Sequence, residues 1–220
     1  MLTRVRVIVL PVLLVAVAAC DDEERSEPPR PPSADATRDC RTHIEGKLPP
    51  ASPSQDFFAG PVRFRGFHPT SRFAAREGNA YFRRRDGGYG GLKFVTEVRA
   101  STDVVVAIAP KNRKAAGMLY GLDEVEHGEF GIPFDEGEQA VRFKACPTEK
   151  RRFGGRARIG PWTQFNGGFI LTRPQCVRLD VYVRGRPPRR YAAPFGYPSR
   201  SSSASSCRRS SKGRLSPKRA

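Results

Sequence analysis

In several runs between residues 54 and 197 apolar residues recur at every second position, and turn-forming residues separate the runs at short intervals. A period of two matches the pleat of a β-strand, whose successive side chains point to opposite faces, and not the 3.6-residue turn of a helix. Val62 and Phe64 alternate with Arg63 and Arg65, and Leu92, Phe94, Thr96 and Val98 with Lys93, Val95 and Glu97. Val141, Phe143 and Ala145 alternate with Arg142 and Lys144, and Val177, Leu179, Val181 and Val183 with Arg178, Asp180, Tyr182 and Arg184. Val104 to Ala109 is instead an unbroken apolar run, the pattern of a central strand covered on both faces. Arg190 to Phe195 reads as a closing strand, and only Lys111 to Tyr120 has room for a helical turn or two. Asp86-Gly87-Gly88, Gly131-Ile132-Pro133, Asn166-Gly167 and Arg184-Gly185 mark turns. About seven to nine short strands so punctuated predict an all-β fold, an antiparallel β-sandwich, because an open α/β sheet needs intervening helices.

Met1 to Arg6 holds two arginines and no acid, and Val7 to Ala19 is an apolar stretch of 13 residues. A helix needs roughly 20 apolar residues to cross the bilayer hydrocarbon, so residues 1–19 read as a secretion signal and not as a permanent span. Val17-Ala18-Ala19-Cys20 resembles the lipobox of bacterial lipoproteins. That resemblance implies cleavage before Cys20, diacylglycerol on its thiol and further acylation of the palmitate kind. Residues 20–53, with Pro28-Pro29-Arg30-Pro31-Pro32 and Leu48-Pro49-Pro50, are expected to form a Pro-rich tether. The sandwich is expected over 54–197, and residues 198–220, dominated by Ser, Arg and Lys, as a disordered basic tail.

The formal net charge is +17, unevenly placed. Asp21 to Asp39 has seven acids against three bases, Cys40 to Tyr197 has 27 bases against 15 acids, and Pro198 to Ala220 has seven bases and no acid. A basic field concentrates anionic partners such as lipid head groups, phosphate-bearing wall polymers or acidic glycans. The export signal leads away from the chromosome, so no nucleic acid partner is expected. With Cys20 given to lipid, Cys40, Cys146, Cys176 and Cys207 remain, an even number suited to an oxidising compartment, and three pairings are open. Strand-end positions of like parity favour a Cys146–Cys176 bond, which leaves Cys40 and Cys207 either bridging the two ends of the domain or free.

Trp162-Thr163-Gln164-Phe165-Asn166-Gly167-Gly168-Phe169 holds the only tryptophan. Two readings compete there. One is an exposed loop in which Trp162, Gln164 and Asn166 meet a sugar or peptide; the other, which is favoured, is a hairpin turning at Asn166-Gly167 between core anchors Phe165 and Phe169. Thr163 to Phe169, followed by Cys176, Val177-x-Leu179-x-Val181 and Gly185, resembles a group of uncharacterised secreted or lipid-anchored proteins of high-GC actinobacteria. The resemblance covers the last third of the domain and implies that origin and one disulfide, without a mechanism.

Lys150, Arg151 and Arg152, with Arg156 and Arg158, form a candidate anion-binding edge. Asp86 to Gly91 lacks the Lys-Ser/Thr of a phosphate loop. The acidic stretch from Asp123 to Glu138 lacks the spacing of a calcium loop, and His43, His68 and His127 sit in no zinc spacing. There is no Gly-x-Ser-x-Gly elbow. No catalytic residue, metal or cofactor is assigned on these patterns. The composite expectation is a lipid-anchored protein on the extracytoplasmic side of a cell membrane, with a non-enzymatic binding or structural role at an anionic envelope surface. The alternative is a small envelope hydrolase or carbohydrate-active enzyme with its site near Trp162 to Asn166.

Overall fold

The computed structural model describes residues 29–44, 46–78, 82, 91–121, 134–147, 160–197 and 207. Its strands are β1 (Ala36–Arg38), β2 (Phe57–Ala59), β3 (Val62–Phe64), β4 (Gly91–Arg99), β5 (Asp103–Ile108), β6 (Ala116–Leu119), β7 (Ala140–Lys144), β8 (Trp162–Leu171), β9 (Gln175–Val183) and β10 (Arg189–Phe195). One sheet has the order β1-β7-β5-β9-β10, and the other β2-β3-β4-β8-β6. Neighbours are antiparallel except β1 and β7, which run parallel. The expected all-β sandwich is what the chain forms, with helix α1 (Phe67–Glu77) added to it among the described residues.

The alternation sorts the side chains as its period requires. Val62, Phe64, Leu92, Phe94, Thr96, Val98, Val141, Phe143, Val177, Leu179 and Val181 are buried. The unbroken run of β5 follows from its place between β7 and β9: Val104, Val106 and Ile108 enter the main core, while Val105 and Ala107 pack with Ala140 and Tyr182 on the other face. Aromatic rings join the layers. Phe195 of β10 lies 4.8 Å from Phe169 of β8 and 4.7 Å from Phe67 of α1, so one ring contacts both sheets and the helix. Such ring pairs contribute about 0.5–1.5 kcal/mol beyond the area they bury.

Two local expectations are corrected. The helix is not in Lys111–Tyr120, where a 3-10 turn (Pro110–Asn112) leads into the edge strand β6. It is α1, whose buried Phe67, Ser71 and Ala74 recur at helical spacing. That face is easily overlooked because Ser71 is polar; its hydroxyl donates to the Pro194 carbonyl (2.8 Å) and accepts from the Gly196 N–H (2.9 Å), pinning the helix to the end of β10. Asn166-Gly167 is not a turn either. β8 runs straight through it, with Asn166 opposite Val95, Gly167 opposite Phe94 and Gly168 opposite Lys93.

The glycines of β8 serve close approach. A Cβ on Gly167 would lie 2.2 Å from the Tyr120 ring, and one on Gly168 would lie 2.2 Å from the Leu92 carbonyl oxygen. Gly168→Ala is expected to cost about 2–3 kcal/mol, because the obstacle is the backbone of the paired strand and cannot rotate away. Gly160→Ala, which meets nothing within 4 Å, is expected to stay within about 0.5 kcal/mol of the parent. Urea unfolding of the two variants makes the comparison.

The disulfides are Cys40–Cys146 and Cys176–Cys207, and the expected Cys146–Cys176 bond is not formed. β5 separates β7 from β9, so the two strands are not neighbours. The register also places Cys146, just past β7, at the end of the sheet where β9 finishes, whereas Cys176 lies at the start of β9. Cys40 reaches Cys146 because β1 and β7 run parallel, with Arg38 opposite Phe143, so the chain leaves both strands at the same end. Cys40 and Cys207 therefore neither bridge each other nor stay free.

The segment expected as a tether is in part structural. Asp35 accepts hydrogen bonds from the N–H groups of Gln139 (2.7 Å) and Ala140 (3.0 Å), β1 completes a sheet, and Ile44 bridges to Gln164. Asp35, β1 and Ile44 are thus joined to the sheets. Cys207, buried in its disulfide, fixes one point of the segment expected as a disordered tail. Residues 1–28 with Cys20, and 198–206 and 208–220, lie outside the described residues.

Candidate ligand-binding site

The register of β3, β4 and β8 lines up Arg63, Glu97 and Gln164 across the outer face of one sheet, with Arg99 beside Trp162 one pair further on. Alternation puts Trp162, Gln164 and Asn166 on that same face of β8. Glu97 is the charge at its centre, only 3% exposed. One carboxylate oxygen accepts from Arg63 Nε (2.5 Å) and Arg65 Nη1 (2.8 Å), and the other from Gln164 Nε2 (3.2 Å). Arg65 also donates to the Pro49 carbonyl (2.6 Å) and lies 3.2 Å from Asp56 Oδ2. Burial alone would lower the Arg65 pKa, but Glu97 and Asp56 outweigh it and hold the guanidinium above its ordinary value. Arg63 in turn lies over the Trp162 ring, 3.7 Å from its centroid, and fixes the indole at the edge of the sheet.

A strap of chain crosses this face. Ile44 N–H donates to the Gln164 carbonyl (2.9 Å), Gln164 Nε2 donates to the Gly46 carbonyl (3.1 Å), and Pro49 is held by Arg65. Between strap and sheet is a groove of about 600 Å³ whose walls include His43, Lys47, Arg63, Trp162 and Gln164. The carboxylate in it, Glu97, is already engaged by two guanidiniums and an amide, which suits it to holding side chains in place and not to proton transfer.

On the other side of Trp162, at one end of the sandwich, is a cleft of about 710 Å³. Val181, Val183 and Tyr191 give it an apolar floor, and the exposed Arg99, Arg186 and Arg189 surround it. Among the described residues no carboxylate lines it. Gly60 makes room here, since a Cβ on it would lie 2.9 Å from the Tyr191 hydroxyl. Three cations around an apolar floor, with an indole edge between cleft and groove, match a ligand that joins an anionic group to a less polar body.

Of the residues singled out from sequence, Trp162 borders both cavities and Gln164 lines the groove, where it is tied to the strap. Asn166 is exposed on the same face but lines neither cavity. Lys150, Arg151 and Arg152 lie outside the described residues. Arg99, Arg186 and Arg189 come from two distant stretches that only strand packing gathers, so no local sequence pattern marks the group. Of the acidic stretch, Glu138 is turned inward: burial raises its pKa, and it accepts from the Tyr120 N–H at 3.0 Å.

One group with metal-ligand chemistry does form among the described residues: Cys40, His43 and Cys146 place their donor atoms within 4.8 Å of one another, with both sulfurs in the disulfide. Sequence spacing hid it, because Cys146 is brought in by the parallel pairing of β1 with β7. No known protein family, curated protein or solved structure matches the chain.

Proposed function

We propose that this chain is an exported lipoprotein, anchored through Cys20 on the extracytoplasmic side of a membrane, whose sandwich binds an anionic component of the cell envelope without catalysis. The observation that carries the binding half of this reading is the cleft of Arg99, Arg186 and Arg189 over Trp162 and Tyr191, with no carboxylate lining it among the described residues. The short apolar leader ending in Val17-Ala18-Ala19-Cys20 supports the anchoring half, and two disulfides agree with an oxidising location. The binding reading is preferred to a hydrolase because the carboxylate beside Trp162 is committed to ion pairs.

Retention of the chain carrying Cys20→Ser and lacking residues 1–19, so that no lipid or leader holds it, on phosphatidylglycerol vesicles at low salt tests the cleft. A basic residue near an anionic surface contributes about 1 kcal/mol, so Arg99→Gln, Arg186→Gln and Arg189→Gln together are expected to weaken binding roughly a hundredfold. Raising the salt should narrow the difference. Lys150→Gln, Arg151→Gln and Arg152→Gln together form the parallel arm. Loss confined to that second triple would move the site to the edge read from sequence; unchanged retention in both would end the anionic reading. Anchoring is tested separately, by the mass of the chain purified from membranes: unlipidated protein that keeps residues 1–19 would refute it.

A further inference from the structure

We infer that Cys40, Cys146 and His43 form a zinc site when the disulfide between the two cysteines is reduced. This site is separate from the arginine cleft and does not depend on what that cleft binds.

The three donors come from segments that the fold holds independently. Cys40 follows β1 and Cys146 follows β7, and these parallel neighbours deliver both thiols to the same end of the sheet. His43 is returned toward Cys40 by a turn in which the Thr42 N–H donates to the Asp39 carbonyl (3.0 Å) and Arg38 grips the Thr42 carbonyl (2.9 Å). Its ring is oriented by Nδ1, which donates to the Cys40 carbonyl at 2.6 Å. A metal-binding histidine is characteristically fixed this way, with one ring N–H held by a backbone carbonyl and the lone pair on the other nitrogen. Here that nitrogen is Nε2.

Both sulfurs and one ring nitrogen of His43 lie within 4.8 Å of one another. Zinc–sulfur and zinc–nitrogen bonds of about 2.3 and 2.0 Å place tetrahedral ligands roughly 3.5 Å apart, so the set needs only small adjustments once the sulfurs part. Two thiolates and one imidazole suit a borderline-soft divalent ion. The fourth position would be taken by water, and His43 also borders the groove beside Trp162, which gives the ion a way in.

The chemistry balances with an external dithiol as reductant. Thiol–disulfide exchange turns the Cys40–Cys146 bond into two thiols and the dithiol into its own disulfide. Zinc then binds as each thiol gives up a proton to solvent. The oxidised chain has no thiolate to offer and takes no metal, so disulfide and metal exclude each other. Cys176–Cys207, with no histidine in such a group among the described residues, serves as the internal comparison.

The test uses the full chain carrying Cys20→Ser, titrated with Co²⁺ as a spectroscopic probe and then with Zn²⁺, before and after reduction. Expected is one equivalent of cobalt in the reduced chain alone, with thiolate charge-transfer and tetrahedral ligand-field bands that zinc abolishes. Cys40→Ser and Cys146→Ser should remove the bands, while Cys176→Ser with Cys207→Ser should leave them. His43→Ala, which keeps the disulfide and so folds when oxidised, should weaken reduced-state affinity by roughly tenfold or more. Zinc should also raise the Tm of the reduced chain. Absence of stoichiometric uptake, uptake indifferent to His43→Ala, or a reduced chain that unfolds and gains no stability from zinc would each overturn the proposal.

Discussion

Glu97→Ala is expected to destabilise the domain by about 3–5 kcal/mol, the cost of removing one partner from a buried ion network. The side chains left behind are Arg63 and Arg65, only 15% and 8% exposed. Both guanidiniums would keep their charge in a site that water barely reaches, and Asp56 would be the one carboxylate still near Arg65. Glu97→Gln keeps the volume and an acceptor oxygen but removes the charge, so it should fall between alanine and the parent. Asp39→Ala provides the exposed comparison: its partner Arg41 is 91% exposed, and pairs of that kind are worth about 0–1 kcal/mol. Urea unfolding at neutral pH separates the cases. A loss below 1 kcal/mol for Glu97→Ala would mean that the network is not a main support of the sheet's outer face. The same substitution should loosen the groove, since Gln164 and the Trp162-stacking Arg63 both lean on Glu97.

Removing the Cys40–Cys146 bond with paired serines should cost about 4.7 kcal/mol, against about 3.7 kcal/mol for Cys176–Cys207, in the chain-entropy account of cross-linking. The difference follows from sequence separations of 106 and 31 residues, since the longer loop removes more freedom from the unfolded chain. Structure sharpens the contrast. β1 has only three residues and, among the described residues, one neighbour, so without its disulfide the segment from Ala36 to Ile44 would be held by that short pairing with β7, by Arg38 and Asp35, and by a single bridge to Gln164. Thermal unfolding of the two double variants should show Tm drops of roughly 10–20 °C for the first and somewhat less for the second. Equal drops, or a larger one for Cys176–Cys207, would argue against loop closure as the main source of stability.

The strands were legible because alternation is a local property. Side-chain direction in a strand depends only on residue parity, so Val62, Phe94, Phe143 and Leu179 could be assigned to the core without knowing their neighbours, and the run from Val104 to Ala109 could be placed between two other strands. The helix was less legible because Ser71 stands where an apolar residue would have marked its face, satisfied by the end of β10 more than a hundred residues away.

What local pattern could not supply is which strand lies beside which, and every misreading of the candidate site follows from that. Asn166-Gly167 reads as a turn until Tyr120 supplies the reason for having no side chain at Gly167, as the Leu92 backbone does at Gly168. Cys146 pairs with Cys40 because β5 stands between β7 and β9 and β1 joins β7 in parallel. The buried Glu97, the arginines around the cleft and the Cys40, His43 and Cys146 group are likewise products of strand order. Composition and local pattern were enough for the charge, the alternation and hence the class of fold. Tertiary structure alone decided the partners, because contacts between distant segments depend on loop closure and packing of the whole core, which no short window of sequence contains.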